Sequence, residues 1–509
     1  METEIELKFF IAPFVDNDPA PITLAIDELV ADIAIEKAKS CKRLVNTYFE
    51  TPDQLLRSYD FGLRVRAVDG YTEQTIKTAG TVIGGLHKRP EYNVEINSMR
   101  PDLSLFPADI WPEHAHVSHL QEQLKPLFTT NFRRTKWELE HENSHVELVM
   151  DFGEVEAGDE SVAIREIEIE LVDGDVRALF SLAKRLTDIL PLRLSNDSKA
   201  ARGYRLYANQ LLKNKSGITP VKAFSDTTIE QCFINTIQHG LSYWQTHEEV
   251  YLANGKLSSL AEMLTGIELI KHAFSLFSKA IPKQSTQYFV DELDKICQAF
   301  AWLPQANALH QLAACKGAFK KRMTNYPELV SEFSQQKAAI VSTNDIEQLL
   351  HSKAYSQLII DLVKWLYEKA WRCYNDTVEA NLNSLLIEQV DTLQQQSWQS
   401  VKQDMPINQA FTAEHYFATE ANLRHSLMTG LCVGQLYSEE HWQVFRAPWL
   451  DILQGINELH TYKLLANYLV KNQGDKKLLK WCNNKTDTLI SVMERSRISA
   501  LDSTPYWLE

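Results

Sequence analysis

Between residue 4 and about residue 171, apolar and polar positions repeatedly alternate with a period of two. The pattern is clearest at Glu4–Phe10, Leu63–Val68, Thr75–Thr78, Tyr92–Ile96, Arg134–Leu139, His145–Asp151 and Arg165–Leu171. Alternation of this kind puts successive side chains on opposite faces of a strand. Gly62, Gly70, Gly84-Gly85, Pro90, Pro101 and Gly153 mark the expected breaks. Two stretches change to helical spacing, Ile22–Ala38 and Val176–Leu190. Strands in runs, without regular alternation with helices, predict an antiparallel sheet with flanking helices and not a βαβ repeat.

The texture changes near residue 210. Lys213-Asn214-Lys215-Ser216-Gly217 and Pro220 read as a linker, and helical spacing dominates from Thr227 onward. The expected helices include Ile229–Leu252, Lys256–Ala280, Gln287–Ala301, Ala306–Met323, Lys353–Trp365, Thr377–Gln395, Leu423–Tyr437 and His460–Lys471. Prolines 282, 304, 327, 406 and 448 fall near the expected breaks, and residues 331–352 and 396–412 read as looser polar segments. The domain reading is therefore 1–210 for the β-rich part, 211–222 for the linker and 223–509 for a helical bundle. A chain of 509 residues is too long for one ordinary core.

Composition narrows the function classes. A formal net charge of −15 disfavours nucleic acid and anionic membrane as partners, while leaving room for a local basic pocket. The seven cysteines are scattered, with no C-x-x-C pair, and read as reduced thiols and not as a disulfide framework. No apolar run is long enough for a membrane span, and the first residues are acidic, so a cytoplasmic location is expected.

Several strands carry charge on their polar face. Glu4, Glu6 and Lys8 share one face of the first strand; Arg64 and Arg66 share another; Glu166, Glu168 and Glu170 share a third. Such faces could lie in solvent on an open sheet or line a closed tunnel whose oily side meets helices. Repetition over several strands, some acidic and some basic, favours the tunnel. Further candidates are Lys77, Arg89, the pair Arg134 and Lys136, Asp151, and Lys199 and Arg202 one helical turn apart. Cations and carboxylates in these numbers suit a polyanion held with a hard divalent ion, since guanidinium forks grip phosphate and carboxylates alone would repel it. His114, His116 and His119 read as part of a connecting region, and His87 likewise carries no role. P-loop, nucleophile-elbow and zincin motifs are absent from the sequence.

These segments, in this order, resemble the CYTH superfamily, the triphosphate tunnel metalloenzymes. The resemblance rests on Glu4-x-Glu6-x-Lys8, Tyr48-Phe49-Glu50-Thr51-Pro52, Leu63–Arg66, Thr75–Thr78, Gly85–Tyr92, Glu166–Leu171 and Ser198–Tyr204, with Glu50 where the family has Asp. It implies a closed eight-stranded antiparallel tunnel and hydrolysis of inorganic triphosphate to pyrophosphate and phosphate with Mg²⁺ or Mn²⁺. By the same resemblance, Lys8, Arg64, Arg66, Lys77, Arg89, Arg134, Lys136, Lys199 and Arg202 hold phosphates. Glu4, Glu6, Asp151, Glu168 and Glu170 hold metal, and Glu6, Lys8, Glu168 and Glu170 serve the chemistry. Alternative activities on the same fold are class IV type adenylate cyclase and thiamine triphosphatase, for which Trp137 is the one aromatic candidate; a polyphosphate-binding protein is the non-enzymatic alternative. The second half resembles the CHAD helical domain over Leu260–Phe277 and Trp449–Glu458. Ala261, Leu264, Glu268, Leu269 and Lys271 replace that domain's usual histidine and arginines, which implies a structural or partner-docking role.

Overall fold

A computed structural model describes residues 2–13, 15, 18–68, 70–210, 212–215, 217–374 and 378–508. Leu211 and Ser216 of the expected linker, and Thr377 at the start of one expected helix, lie outside the described residues. Two compact units emerge: Met1–Lys213 with Ile346–Glu368, and Asn214–Asp345 with Lys369–Glu509.

The first unit is built on ten strands: β1 (Glu2–Ile11), β2 (Ile35–Glu50), β3 (Gly62–Val68), β4 (Tyr71–Lys77), β5 (Thr81–Ile83), β6 (Leu86–Glu95), β7 (Lys125–His141), β8 (Ser144–Ala157), β9 (Glu160–Asp173) and β10 (Leu192–Leu194). Their order is β10-β1-β9-β8-β7-β2-β3-β4-β6-β5, and an additional β1–β6 pairing closes eight of them into an antiparallel barrel. β1 is the seam. Glu2–Leu7 pairs with β6, and Glu6–Phe10 pairs with β9. Closure removes the open edges that a sheet of this length would otherwise expose.

Alternation decides which side chains face inward. Leu7, Phe9, Trp137, Leu139, Val146, Leu148, Ile167 and Ile169 are fully buried. Helix Arg177–Ile189 places Ala178, Leu179, Phe180, Leu182, Ala183 and Leu186 in the same core and packs on β1, β8 and β9. Helix Pro19–Ile33 begins at Asp18, whose carboxylate accepts from the Ala20 amide at 3.0 Å, and packs beside β2 and β7. Helix Lys353–Glu368 also belongs to this unit. Its Asp361 pairs with Lys184 at 2.8 Å, and its Ser356 hydroxyl donates to the Leu192 carbonyl.

The expected helix over Ile22–Ala38 stops at Ile33, and its last residues start β2. Pro90 and Gly153, expected as breaks, lie inside β6 and β8. Gly153 is required by packing: a Cβ there would sit 2.2 Å from the Asn131 carbonyl oxygen on β7.

The second unit is helical. Its long members are Ile229–Asn254, Leu257–Leu276, Lys283–Ala299, Ala413–Val433, Glu439–Lys471 and Lys476–Asp502. Pro448 sits inside Glu439–Lys471 and does not end it, because Trp449, Ile452, Leu453 and Ile456 continue the buried stripe beyond it. The segments expected to be loose are largely helical too, in Pro327–Ile340, Thr343–Leu350 and Val390–Asp404. The expected helix ending at Gln395 is instead split into Val378–Asn383, a short turn and Val390–Asp404. No helix of the described residues is long and apolar enough to cross a membrane.

Candidate active site

A polar cavity of about 620 Å³ runs inside the barrel. It brings together Glu4, Glu6, Lys8, Arg64, Arg66, Lys77, Arg89, Arg134, Glu168, Glu170 and Lys199 from strands β1, β3, β4, β6, β7 and β9 and from helix Lys199–Tyr207. Strand register explains the gathering: Lys8 lies opposite Glu168, Glu6 opposite both Glu170 and His87, and Lys77 opposite Glu91.

One end of this constellation is a saturated ion network. Asp151, Glu166 and Glu168 are buried and offer carboxylate oxygens within 4.8 Å of one another. Lys199 projects among all three, 2.8 Å from Asp151 and 3.1 Å from Glu168, and in closer contact with Glu166. Arg134 grips Asp151 with two bonds of 2.8 and 2.6 Å and reaches Glu168 at 2.9 Å. Arg202 binds Glu166 and the Ala163 carbonyl, and Lys8 meets Glu168 at 2.6 Å. Against the cost of burial, Lys199, Lys8 and Arg134 hold the Glu168 carboxyl well below the usual range; Arg134 and Lys199 do the same for Asp151. Glu168 and Glu6 likewise keep the Lys8 ammonium charged despite burial. Helix Lys199–Tyr207 delivers Lys199 and Arg202 because its cap, Ser198, accepts from the Ala201 amide at 3.1 Å, and because Gly203 lets it press on Phe128, whose ring would lie 2.1 Å from a Cβ.

The other end is acidic and short of cations. Glu4 binds Lys77, Glu6 is 3.8 Å from Lys8, and Glu170 has no ion pair among the described residues. Burial, then Glu4 and Glu6, push the Glu170 carboxyl up to about 8; burial and Glu6 also raise Glu4 against the pull of Lys77. These three carboxylates are oxygen donors of the type a hard divalent cation takes, but the acids whose oxygens lie within 4.8 Å of one another among the described residues are Asp151, Glu166 and Glu168. In this structure Lys199 occupies the space among the carboxylates of that compact group.

A cationic wall adjoins this corner through Lys77, which contacts both Glu4 and Glu91. Arg66 donates to Asn46 at 2.6 Å and pairs with no described carboxylate; burial, Arg64 and Arg134 lower it to about 9. Arg64 and Lys77 share Glu91 at 3.3 and 3.0 Å, and against burial they draw its carboxyl down to about 2. Arg89 donates to the Thr78 carbonyl at 2.5 Å and the Asp60 carbonyl at 2.6 Å.

Three of the candidates do not line the cavity. Lys136 is tied to Glu138 at 2.9 Å and Glu147 at 2.5 Å. Asp151 and Arg202 serve inside the ion network. Lining residues without an assigned role include Glu73, His87, Glu91, Asn93 and Glu147. The imidazole of His87 bonds the Ser195 backbone, and burial and Lys8 lower it to about 4. Glu91 could have been found, because it follows Arg89 at strand spacing. His114 and His119 sit elsewhere, against Tyr59 and Gln123. Trp137 is fully buried outside the cavity and donates to Asp27 at 2.8 Å. Glu50 accepts from the amides of Thr51, Leu56 and Arg57 and from the Tyr204 hydroxyl, so it anchors the loop after β2.

Comparison with known families agrees with this architecture. The family model described as CYTH domain matches residues 2–204. The match spans the whole barrel of the first unit. An inorganic triphosphatase from Haemophilus influenzae is 28% identical over 372 residues, which are 72% of this chain and 98% of that protein. A Hippeastrum adenylyl cyclase candidate, described as having a dominant triphosphatase activity, aligns with 41% of this chain and 97% of its own (17% identity, TM-score 0.30). A CHAD domain from Ricinus communis aligns with 57% of this chain and 97% of its own (14% identity, TM-score 0.41). The CYTH match takes in β1 to β10 and the helical residues Lys199 and Arg202.

Proposed function

We propose that the barrel hydrolyses inorganic triphosphate to pyrophosphate and phosphate with a divalent ion, Mg²⁺ or Mn²⁺, in the cytoplasm. The observation that carries this is the polarity of one cavity, with an acidic corner short of cations beside a wall of arginines and lysines. The Haemophilus influenzae relative, whose whole length the alignment nearly spans, supports the same substrate class.

In this reading Glu4, Glu6 and Glu170 hold the ion, which when bound neutralises phosphate charge and favours attack by water. Arg64, Arg66, Lys77 and Arg134 receive the phosphate oxygens, and Lys8, kept protonated by Glu168, donates to them. Lys199 and Arg202 act as positioning residues by fixing Asp151, Glu166 and Glu168. Glu168 is too strongly stabilised as an anion to take a proton readily. Of Glu168 and Glu170, Glu170 holds a proton more tightly and is the better acceptor for one from water. Residues 223–509 are then a CHAD-like domain in a structural or docking role, because Lys271 is already paired with Asp294 and Arg424 with Glu420.

The test is phosphate release from tripolyphosphate, ATP and thiamine triphosphate, each with Mg²⁺, Mn²⁺ or EDTA. Metal-dependent release from tripolyphosphate above the other two supports the proposal. Cyclic AMP formation from ATP, preferential thiamine triphosphate cleavage, or binding without turnover would each replace it.

A further inference from the structure

Helix Glu439–Lys471 in the second unit carries Arg446 and Trp449 three residues apart, so both project from one face. They enter a narrow pocket walled by Trp398, Trp442, Phe445 and Tyr506. The rings pack edge to face, with Trp398 5.2 Å from Phe445 and 5.3 Å from Trp449, and Phe445 5.5 Å from Tyr506. The guanidinium of Arg446 lies 4.9 Å above the Trp442 ring.

Polar satisfaction in this pocket is uneven. The Trp442 indole donates to the Gly430 carbonyl at 3.1 Å, and the Tyr506 hydroxyl accepts from Gln394 at 2.6 Å. The Arg446 Nε and the Trp449 Nε1 are buried and have no hydrogen-bond partner among the described residues. No described carboxylate pairs with Arg446, and burial lowers its guanidinium below the usual arginine value. A guanidinium held among aromatic rings without a counter-charge is costly unless an anion completes it.

The pocket also indicates which anion. Arg446 is its one ionisable lining group apart from the Tyr506 phenol, so the site offers a single positive charge, matching a carboxylate and falling short of a phosphate dianion. Its interior volume of about 20 Å³ admits a head group and little else, which leaves the rest of the ligand against the aromatic walls. We propose that Arg446 and Trp449 form a binding subsite for the carboxylate of a small organic acid with an apolar or aromatic body. The guanidinium fork supplies the charge-assisted bonds and the indole N–H a further donor.

The test uses the full chain and its tryptophan emission, titrated with benzoate, acetate and inorganic phosphate. Benzoate is expected to change the emission saturably, with affinity at least about tenfold above acetate and phosphate. Arg446→Met is expected to abolish the response, and Arg446→Lys, which keeps the charge without the fork, to weaken it about tenfold. Phosphate release from tripolyphosphate should be the same in all three proteins, so the tunnel reading is judged separately. No saturable response in the wild type, an equal response in Arg446→Met, or tighter binding of phosphate than of benzoate would overturn the proposal. If Arg446→Met does not fold, Arg446→Lys decides: unchanged benzoate affinity overturns the fork.

Discussion

Asp151, Glu166 and Glu168 lie among Lys8, Arg134, Lys199 and Arg202, whereas Glu4, Glu6 and Glu170, in the same barrel, have only Lys77 in close contact and Lys8 at 3.8 Å. The first triad is nearer to a structural ion cluster than to a metal site, although its oxygens are the more compactly grouped. The second triad is looser and more repulsive. Compactness therefore singles out the first triad, and the local shortage of cations singles out the second. Buried carboxylates that already have cations hold the barrel together, and those that lack them are available for work.

The comparison can be broken most forcefully at Lys199. Lys199→Met leaves three buried acids undercompensated and should cost about 3–5 kcal/mol of stability, read by denaturant unfolding. A loss below about 1 kcal/mol would mean that the cluster is not structural. Glu170→Gln should do the opposite: unfolding stability without metal is unchanged or higher, while metal-dependent phosphate release falls about 100-fold. Wild-type turnover in that variant would move the metal corner elsewhere.

A pH titration sharpens the contrast. The Glu170 carboxyl is pushed up to about 8 from the usual 4.5, so the folded state binds the extra proton between them. Metal-free stability from this group is fully present below pH 4.5 and is lost as pH rises through about 8, with a slope of at most about 1.4 kcal/mol per pH unit. Glu168 and Asp151 have the reverse sign: their contribution is present above the unfolded carboxylate range and is lost on acidification. Adding Mg²⁺ should flatten the Glu170 limb alone. The smallest effect is expected for Lys136→Ala, whose partners Glu138 and Glu147 are part-exposed, with turnover changed less than about threefold.

Charge alternation made the barrel legible in the sequence, because Glu-x-Glu and Arg-x-Arg spacing states directly which residues share a face. β2 was missed for the complementary reason. Its first nine residues, Ile35 to Arg43, are exposed and carry charge on both faces, so no oily side marks them as strand. Helix Lys476–Asp502 escaped notice as a unit, since Leu478, Cys482, Met493 and Ala500 are sparse among polar residues. The phosphate-facing cations were largely readable, but the partition of the acids was not. Spacing shows that Glu166, Glu168 and Glu170 point one way; it cannot show that Lys199 arrives from a later helix to neutralise two of them and leave the third.

The seam strand also sets an order of events in folding. β1 draws its partners from residues 86–91 on one side and 166–170 on the other, so neither pairing is local. Hairpins such as β7–β8 and β8–β9 can form between neighbours in sequence, while the ring closes only when β1 bridges two distant segments. Glu4 and Glu6 ride on that strand and Glu170 on its partner. The last kinetic step therefore brings like charges together, and the rate of barrel closure should rise on acidification while the hairpins form at an unchanged rate.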